Sequence, residues 1–176
     1  MAFSVREMRA DELPLRAAYF HRASDELLAL MGVDRSLLPA PDLWTDQLGE
    51  QLARPPRERT HFLLSWLEDG QPIGFSTADS FQDGASARIH LHVFEAGGRQ
   101  RGVGRACLLD SVRLYFDVLD VDLLISEPHA FNTAPNRTLQ SVGFRFVKTY
   151  KATPGPFNLP QTVNRWELGR DRLRRS

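Results

Sequence analysis

The sequence is poor in the features that mark several large classes of protein. It has a single cysteine among 176 residues, so an internal disulfide is excluded and a reducing compartment is expected. No apolar run approaches the roughly 18 residues of a membrane-spanning helix, and the residues after Met1 lack the apolar stretch of a secretory signal. We therefore expect a cytoplasmic protein with no membrane partner.

An excess of positive charge is also missing. Lys and Arg together number 22, as do Asp and Glu, so the formal net charge is zero. Proteins that bind nucleic acids usually carry a basic excess that neutralises phosphates, and no nucleic-acid partner is expected here. The basic ending, residues 170–175, is interpreted as solvated. We predict one domain over residues 1–170 and a basic tail over 171–176.

Hydrophobic periodicity predicts a mixed α/β domain. Strands are predicted at residues 3–8, 61–67, 72–78, 87–94, 121–126, 144–151 and 163–168. Helices are predicted at residues 11–31, 41–53, 102–119 and 133–142. Tight Asp-Gly turns join the second to the fourth strand, which indicates an antiparallel meander. The predicted order is βααβββαβαββ.

A turn rich in glycine and arginine lies between a predicted strand and a predicted helix, with the sequence Arg99-Gln100-Arg101-Gly102-Val103-Gly104-Arg105. Main-chain N–H groups at a helix N-terminus are unpaired, and the helix dipole makes that end positive. The two glycines let the main chain approach an anion without an intervening Cβ. The turn therefore predicts a diphosphate site, although a glycine loop that merely begins a helix gives the same pattern.

Two other phosphate-binding motifs do not match this turn. A Walker A loop needs Lys-Ser/Thr after its last glycine, where this chain has Arg105-Ala106. A dinucleotide fingerprint needs a third glycine or an alanine, where this chain has Cys107. Cys107 itself falls on the apolar side of the predicted helix and is interpreted as a packed, unreactive thiol.

The turn, the preceding meander, the following apolar strand and a short helix that begins near Asn132 and ends at Gly143-Phe144 together resemble the GCN5-related N-acetyltransferase superfamily. The resemblance implies a single-domain, mostly antiparallel sheet of six to seven strands, with helices on both faces and a central pair of strands that splay apart. It also implies acetyl-CoA, or another short acyl-CoA, as co-substrate, and it allows a homodimer.

The resemblance assigns coenzyme binding to three parts of the chain: the turn, the end of the fourth strand and the short helix. The residues so assigned are Val93, Phe94, Arg99, Gln100, Arg101, Gly102, Val103, Gly104, Arg105, Asn132 and Asn136. Arg137 is interpreted as solvated, although coenzyme phosphate is an alternative partner. Leu139 stands where many members carry the tyrosine that protonates the departing thiolate. Tyr150 or Ser141 are alternative acids, and unassisted departure of the thiolate is a third possibility.

Two histidines and one carboxylate are candidates for the catalytic chemistry. His90 and His92 project from the same face of a strand, and imidazole suits the removal of a proton from an ammonium group. We predict His92 as the base, with His90 orienting it or binding the acceptor. Glu127 is predicted to recognise the acceptor ammonium or assist a histidine, or to be a solvated loop carboxylate. Neutral core histidines, or a metal held with Glu127 or His129, are the alternatives; we predict no metal.

These observations predict an enzyme that transfers an acetyl or other short acyl group from coenzyme A to a primary amine of a small molecule. The amine would attack the thioester directly in a ternary complex. Two alternatives stay open at this stage. One is a non-catalytic acyl-CoA-binding sensor or partner subunit, and the other is an enzyme that acetylates lysines or N-termini of proteins.

Overall fold

A seven-stranded sheet forms the centre of the computed structural model, which describes residues 2–94 and 102–173. The strands are β1 (Phe3–Glu7), β2 (His61–Glu68), β3 (Gln71–Asp79), β4 (Ser86–Val93), β5 (Leu123–Ser126), β6 (Arg145–Ala152) and β7 (Gln161–Gly169). The α-helices are α1 (Leu13–Arg22), α2 (Asp25–Met31), α3 (Pro41–Leu52), α4 (Val103–Leu119), α5 (Thr133–Val142) and α6 (Arg170–Leu173). Within the described residues, no helix has the length and apolar character needed to cross a bilayer.

The strand order is β1-β2-β3-β4-β5-β7-β6. Every neighbouring pair is antiparallel except β4 and β5, which are parallel. The α4 helix connects these two strands, as a parallel crossover requires. The predicted mixed, mostly antiparallel sheet is therefore confirmed.

The predicted helix over residues 11–31 is wrong in one respect, because it consists of two helices. Ser24 has an extended backbone (φ −64°, ψ 158°), and its hydroxyl accepts a hydrogen bond from the Leu27 N–H at 3.1 Å. Serine is a favoured N-cap, since its oxygen satisfies an N–H that the helix leaves unpaired. Ser24 therefore begins a new helix, α2, instead of continuing α1.

Side chains alternate between the two faces of the sheet and build two separate cores. On one face, Trp66 and Ile89 pack with α4 in a cluster that includes Leu108. On the other face, Phe75 packs with α1 and α3 around Phe20. As a consequence, β4 directs Ile89 towards α4 and the histidines towards α1.

The C-terminal basic segment is attached to the domain over its first residues. The Arg170 guanidinium donates to the main-chain oxygens of Phe116 at 2.7 Å and Val121 at 3.0 Å. The Phe116 carbonyl belongs to the last turn of α4 and also accepts from the Asp120 N–H at 3.2 Å. The predicted solvated ending is therefore wrong for Arg170, whereas Asp171 and Arg172 are exposed. Residues 174–176 lie outside the described part.

Glu12 connects the segment before α1 to the edge of the sheet. Its carboxylate accepts hydrogen bonds from the Arg6 guanidinium (2.6 and 2.9 Å), the Arg9 N–H (2.9 Å) and the Ser65 hydroxyl (2.8 Å). The Arg6 hydrogen bond has the largest effect, and it lowers the pKa of Glu12 to about 2 despite the opposing effect of burial. Because the pKa is lower in the folded state, the resulting stability is present above about pH 4.5 and is lost as the pH falls towards 2.

We expect Glu12→Gln to lower the free energy of unfolding at pH 7 by on the order of 2 kcal/mol, since Arg6 is partly exposed and solvent screens the pair. The difference from the wild type should shrink as the pH falls from 4.5 towards 2. Urea unfolding across this range measures it, with the exposed Glu50→Gln as the control. A loss that is the same at every pH would contradict this account of Glu12.

Candidate active site

The two parallel strands separate soon after they meet. Residues Ser86, Ala87 and Arg88 of β4 pair with the first three residues of β5. One position further, the Ser126 hydroxyl donates to the Ile89 main-chain oxygen at 3.0 Å. Beyond this point, β4 stays paired with β3, and the chain after β5 stays paired with β7. The predicted splayed central pair is therefore present, and a gap opens between its members.

A cavity of about 620 Å³ occupies this gap. Side chains from both faces of the sheet line it, including Ile89 from the α4 face and His90 from the α1 face. At one end lie the start of α4 and residues of α5. At the other end lie residues of α1 and α2 and of the loop before β7. The cavity therefore joins a helix N-terminus to a pocket on the opposite face of the sheet.

The start of α4 forms the first end of the cavity. Gly102 has a left-handed backbone (φ +74°), and its main-chain oxygen accepts from the Ala106 N–H at 3.2 Å. The N–H groups of Val103, Gly104 and Arg105 precede this hydrogen bond and belong to the first turn of the helix. All four predicted residues from 102 to 105 line the cavity. The predicted Arg99, Gln100 and Arg101 lie outside the described residues.

The structure gives a second reason for a glycine at position 104, beside the predicted one. A Cβ at this position would lie 3.2 Å from the Thr138 hydroxyl oxygen and 3.3 Å from the Thr138 methyl carbon. The absence of a side chain therefore allows α4 to approach α5. Close packing of two helices is therefore one reason for this glycine, and the predicted approach of an anion stays a prediction.

Two arginines stand at the same end of the cavity. Arg105 and Arg137 both line it and are both exposed. The Arg105 Nε donates to the Ser141 main-chain oxygen at 3.3 Å, which holds the guanidinium between α4 and α5. The two positive charges reinforce the positive end of the α4 dipole.

The main chain of β4 presents polar groups to the gap at alternate residues. The Phe94 N–H donates to the Ile73 oxygen of β3 at 2.9 Å, so it is not available to a ligand, and the predicted role of Phe94 is corrected. In an antiparallel ladder the groups of alternate residues point to opposite sides. The N–H and C=O groups of Val93 and Leu91 therefore face the gap. The sequence did not point to Leu91, because its main-chain groups are free only where pairing between β4 and β5 stops.

Asn132 and Asn136 have different positions. Asn132 lines the cavity, whereas the Asn136 amide connects α5 to β7. Asn136 donates to the main-chain oxygens of His129 (3.1 Å) and Asn132 (2.7 Å), and it accepts from Asn164 (3.0 Å) and Trp166 (2.8 Å). Every polar atom of this amide is used. The predicted coenzyme role of Asn136 is therefore corrected to a structural one.

His90 is paired with a carboxylate at the second end of the cavity. Its Nε2 lies 2.8 Å from the Asp79 Oδ2. Burial raises the pKa of Asp79, but the hydrogen bond and charge of His90, with a hydrogen bond from Ser80, outweigh it and lower the pKa to about 2. Because the ionised carboxylate can only accept, the His90 Nε2 carries a proton, and the neutral ring keeps its lone pair on Nδ1.

His92 lies among aromatic side chains. Its ring stacks on Phe75 with centroids 4.8 Å apart and an interplanar angle of 28°, and it meets Phe20 and Tyr19 at 5.1 and 5.3 Å. His92 also lines the cavity. The two histidines therefore share a face, as predicted, but the hydrogen bond to Asp79 belongs to His90.

Glu127 belongs to a cluster of charged groups. Its buried carboxylate accepts from the Tyr150 hydroxyl and from the Arg165 Nη1 at 3.4 Å, and it lies 3.7 Å from the Arg88 Nε. Within the described residues, none of its hydrogen bonds or ion pairs involves a histidine. The predicted assistance to a histidine, and the solvated alternative, are therefore wrong, because two arginines and a tyrosine already surround this side chain.

The candidate acids have distinct environments. Leu139 is completely buried in the core between α5 and the sheet. Burial, followed by the hydrogen bond with Glu127, raises the pKa of Tyr150. Ser141 lines the cavity, and its hydroxyl donates to the Thr138 oxygen at 2.8 Å. None of these three positions therefore provides a strong acid for protonation of the departing thiolate.

Cys107 is fully buried in the α4 core. Burial, with a smaller effect of the Asp110 charge, raises the pKa of its thiol to about 12. The predicted packed, unreactive thiol fits this environment. Among residues 2–94 and 102–173, no group of three or more His, Cys, Asp or Glu side chains is arranged to hold a metal ion.

Comparison by sequence finds no matching protein-family model and no matching curated protein. Comparison by structure finds the aminoglycoside acetyltransferase AAC(6')-Ib in complex with coenzyme A, with a TM-score of 0.76, 16% identity and 99% of each chain covered. It also finds the ribosomal-protein-S5-alanine acetyltransferase from Vibrio fischeri, with a TM-score of 0.76, 16% identity, and 97% of this chain and 94% of that chain covered.

A third similar structure is RimL, a ribosomal L7/L12 alpha-N-protein acetyltransferase in complex with coenzyme A. Its TM-score is 0.74, with 11% identity, and the match covers 96% of this chain and 94% of that chain. These similarities extend over nearly the full length of each protein. The chain therefore has the fold of the GCN5-related N-acetyltransferases, as the sequence resemblance implied.

Proposed function

We propose that the protein is an N-acetyltransferase that moves an acetyl or other short acyl group from coenzyme A to a primary amine of a small molecule. One observation carries the proposal: a single cavity has the N-terminus of α4 at one end and the His90–Asp79 pair at the other. The structurally similar acetyltransferases in complex with coenzyme A support the choice of co-substrate.

Coenzyme binding begins at the start of α4. The diphosphate accepts hydrogen bonds from the first-turn N–H groups, and Arg105 and Arg137 supply positive charge. The pantetheine arm then lies in the gap along the free main-chain groups of Leu91 and Val93. An N–H of this strand polarises the thioester carbonyl and stabilises the negative charge that develops on its oxygen.

The acceptor amine is deprotonated at His90. An alkyl ammonium group is mostly protonated at neutral pH and must lose a proton before it attacks. The His90 Nδ1 accepts this proton, while Asp79 holds the ring and stabilises the imidazolium. The nitrogen then bonds to the thioester carbon, and the C–S bond breaks. The second proton of the nitrogen passes to the departing thiolate, whose solution pKa is roughly 8.5, so the products are the amide and the coenzyme A thiol. The proton held by His90 is released to solvent.

At the acceptor end, hydrogen bonds join the end of α2 to the loop before β7. The Gly32 main-chain oxygen accepts from the Leu159 N–H (3.0 Å) and from the side chains of Asn158 (3.1 Å) and Gln161 (3.0 Å). The Asp34 N–H donates to the Phe157 oxygen at 2.8 Å. A protein substrate would need an open groove beside these segments, and their mutual hydrogen bonds therefore favour a small-molecule acceptor. The cytoplasmic location, the domain boundary and a homodimer stay predictions.

Coenzyme A at about 100 times its dissociation constant is expected to raise the free energy of unfolding by about 2.7 kcal/mol. For a chain of this size, that corresponds to a rise in Tm of roughly 5–10 °C. Thermal unfolding followed by circular dichroism measures it, with pantetheine, which lacks the diphosphate, as the control ligand.

A thiol-release assay with acetyl-CoA and a panel of amines then tests catalysis. Amine-dependent release is expected from an enzyme. A shift in Tm without release for any amine would support a binding module instead, and no shift at saturating coenzyme A would contradict the whole proposal.

A further inference from the structure

Arg16 is a buried cation at the acceptor end of the cavity. It lies on α1, lines the cavity and is only 7% exposed. Burial lowers the pKa of its guanidinium to about 10, so the group stays protonated at neutral pH. The guanidinium carbon lies 4.5 Å from the ring centre of Trp44 and 5.5 Å from those of Phe20 and Phe75. Aromatic rings therefore surround a full positive charge.

The Arg16 guanidinium has no anionic partner in the part of the chain that the structure describes. Its Nε and Nη1 are buried and make no hydrogen bond there. Arg59, which is equally buried, shows how the chain normally satisfies such a group. Arg59 pairs with the Glu7 carboxylate at 2.6 Å and donates to the main-chain oxygens of Arg54 and Leu52. A buried cation without such partners is costly, and ring contacts offset only part of that cost.

Arg16 lies near the strand that carries the proposed base, His90. The Phe75 ring contacts both the Arg16 guanidinium and the ring of His92, which lies on the same strand as His90. Thr77 pairs in register with His90, and its hydroxyl oxygen is likewise buried, without a hydrogen bond, and lines the cavity. The acceptor end therefore combines an unpaired cation, an unpaired hydroxyl and the His90–Asp79 pair.

We propose that the acceptor amine also carries a carboxylate and that Arg16 binds this carboxylate. One buried guanidinium balances one negative charge, and the aromatic walls suit a singly charged group better than a doubly charged phosphate. The amine of the same molecule then faces His90 and Asp79. This inference rests on the proposed function and narrows its substrate to amino acids and related amino carboxylates. It disfavours polyamines, whose charges the Arg16 cation repels.

The test compares acceptors that differ only in the carboxylate. Each α-amino acid in a panel is assayed beside its amide and its decarboxylated amine, with thiol release from acetyl-CoA as the readout. The wild-type kcat/KM is expected to favour the best amino acid over its two partners by about 100-fold. Amines that bear a phosphate in place of the carboxylate form a further arm, and a preference for them would overturn the carboxylate assignment.

Arg16→Met removes the charge and keeps an unbranched apolar side chain of similar length. The discrimination ratio is expected to fall towards one in this variant, and the rise in Tm that the best amino acid induces should disappear. The variant should keep or raise its own Tm, since an unpaired buried charge is removed. Arg22→Met, on the exposed surface of α1, is the matched control and should retain the wild-type ratio.

The outcomes separate this inference from the proposed function. Turnover of carboxylate-free amines at rates equal to those of the amino acids, or an unchanged ratio in Arg16→Met, would overturn the role of Arg16 while acetyl transfer stands. If Arg16→Met does not fold, the wild-type comparison of acids, amides and amines still decides. Failure of coenzyme A to bind would instead contradict the function itself.

Discussion

Replacement of His90 by asparagine is expected to lower kcat by about 10²–10⁴-fold, the usual contribution of a positioned general base. The rise in Tm induced by coenzyme A should persist, because His90 lies at the acceptor end and not at the start of α4. Thiol release at saturating substrates measures the first quantity, and thermal unfolding measures the second. Asp79→Asn should lower kcat less, since the imidazole stays but loses the carboxylate that holds it.

The control for the loss of a histidine is His21→Asn. The His21 ring forms a hydrogen bond with the Pro39 main-chain oxygen at 2.8 Å, and His21 is not among the described residues that line the cavity. The His21→Asn substitution should therefore leave kcat unchanged. A full kcat in His90→Asn, together with a large loss in His92→Asn, would restore the assignment that the sequence suggested.

Gly74→Ala is expected to lower kcat/KM for acetyl-CoA by about 10², the effect of moving a reacting group by roughly 1 Å. Gly74 lies directly opposite Val93 in the sheet. A Cβ at Gly74 would collide with the His92 main-chain oxygen and lie 3.1 Å from the Val93 Cα. These are backbone atoms, so the end of β4 must move, and with it the wall along which pantetheine is proposed to lie. The free energy of unfolding should fall by about 1–3 kcal/mol.

Gly49→Ala is the matched control for this substitution. Gly49 is inside α3, and its nearest neighbour would be a Leu13 methyl at 4.0 Å, so a Cβ fits there. Alanine in a helix should stabilise the protein by about 0.5–1 kcal/mol without changing kcat/KM. Steady-state kinetics and urea unfolding of both variants check the contrast. Equal kcat/KM values for the two variants would show that β4 accommodates the added Cβ at position 74 without loss of activity.

The elements of the fold were largely predictable because each carries a local signal. Apolar alternation and Asp-Gly turns mark the meander, and helical spacing marks α4. The division of the first helix was missed, since the Ser24 cap lies within a continuous apolar period. The attachment of Arg170 was missed for a different reason, because its partners at Phe116 and Val121 are about 50 residues away in the chain.

The site was predictable at the level of its segments but not of its partners. The glycine turn and the strand with His90 and His92 were both recognised as parts of it. Asp79 and His90 are 11 residues apart in the chain, and they meet only because of the register between β3 and β4. Nothing in the sequence marked Arg16 as a residue of the site, because an arginine in an amphipathic helix normally faces solvent.

The sequence alone determined the order of the seven strands, the glycine turn at the start of α4 and the strand that carries the histidines, since each depends on neighbours a few residues apart. Tertiary structure alone decided which main-chain groups of β4 stay free, which histidine meets Asp79, and that the Arg16 charge is buried beside the cavity. Those properties arise where strands stop pairing and faces close over one another, so they depend on contacts between segments far apart in the chain.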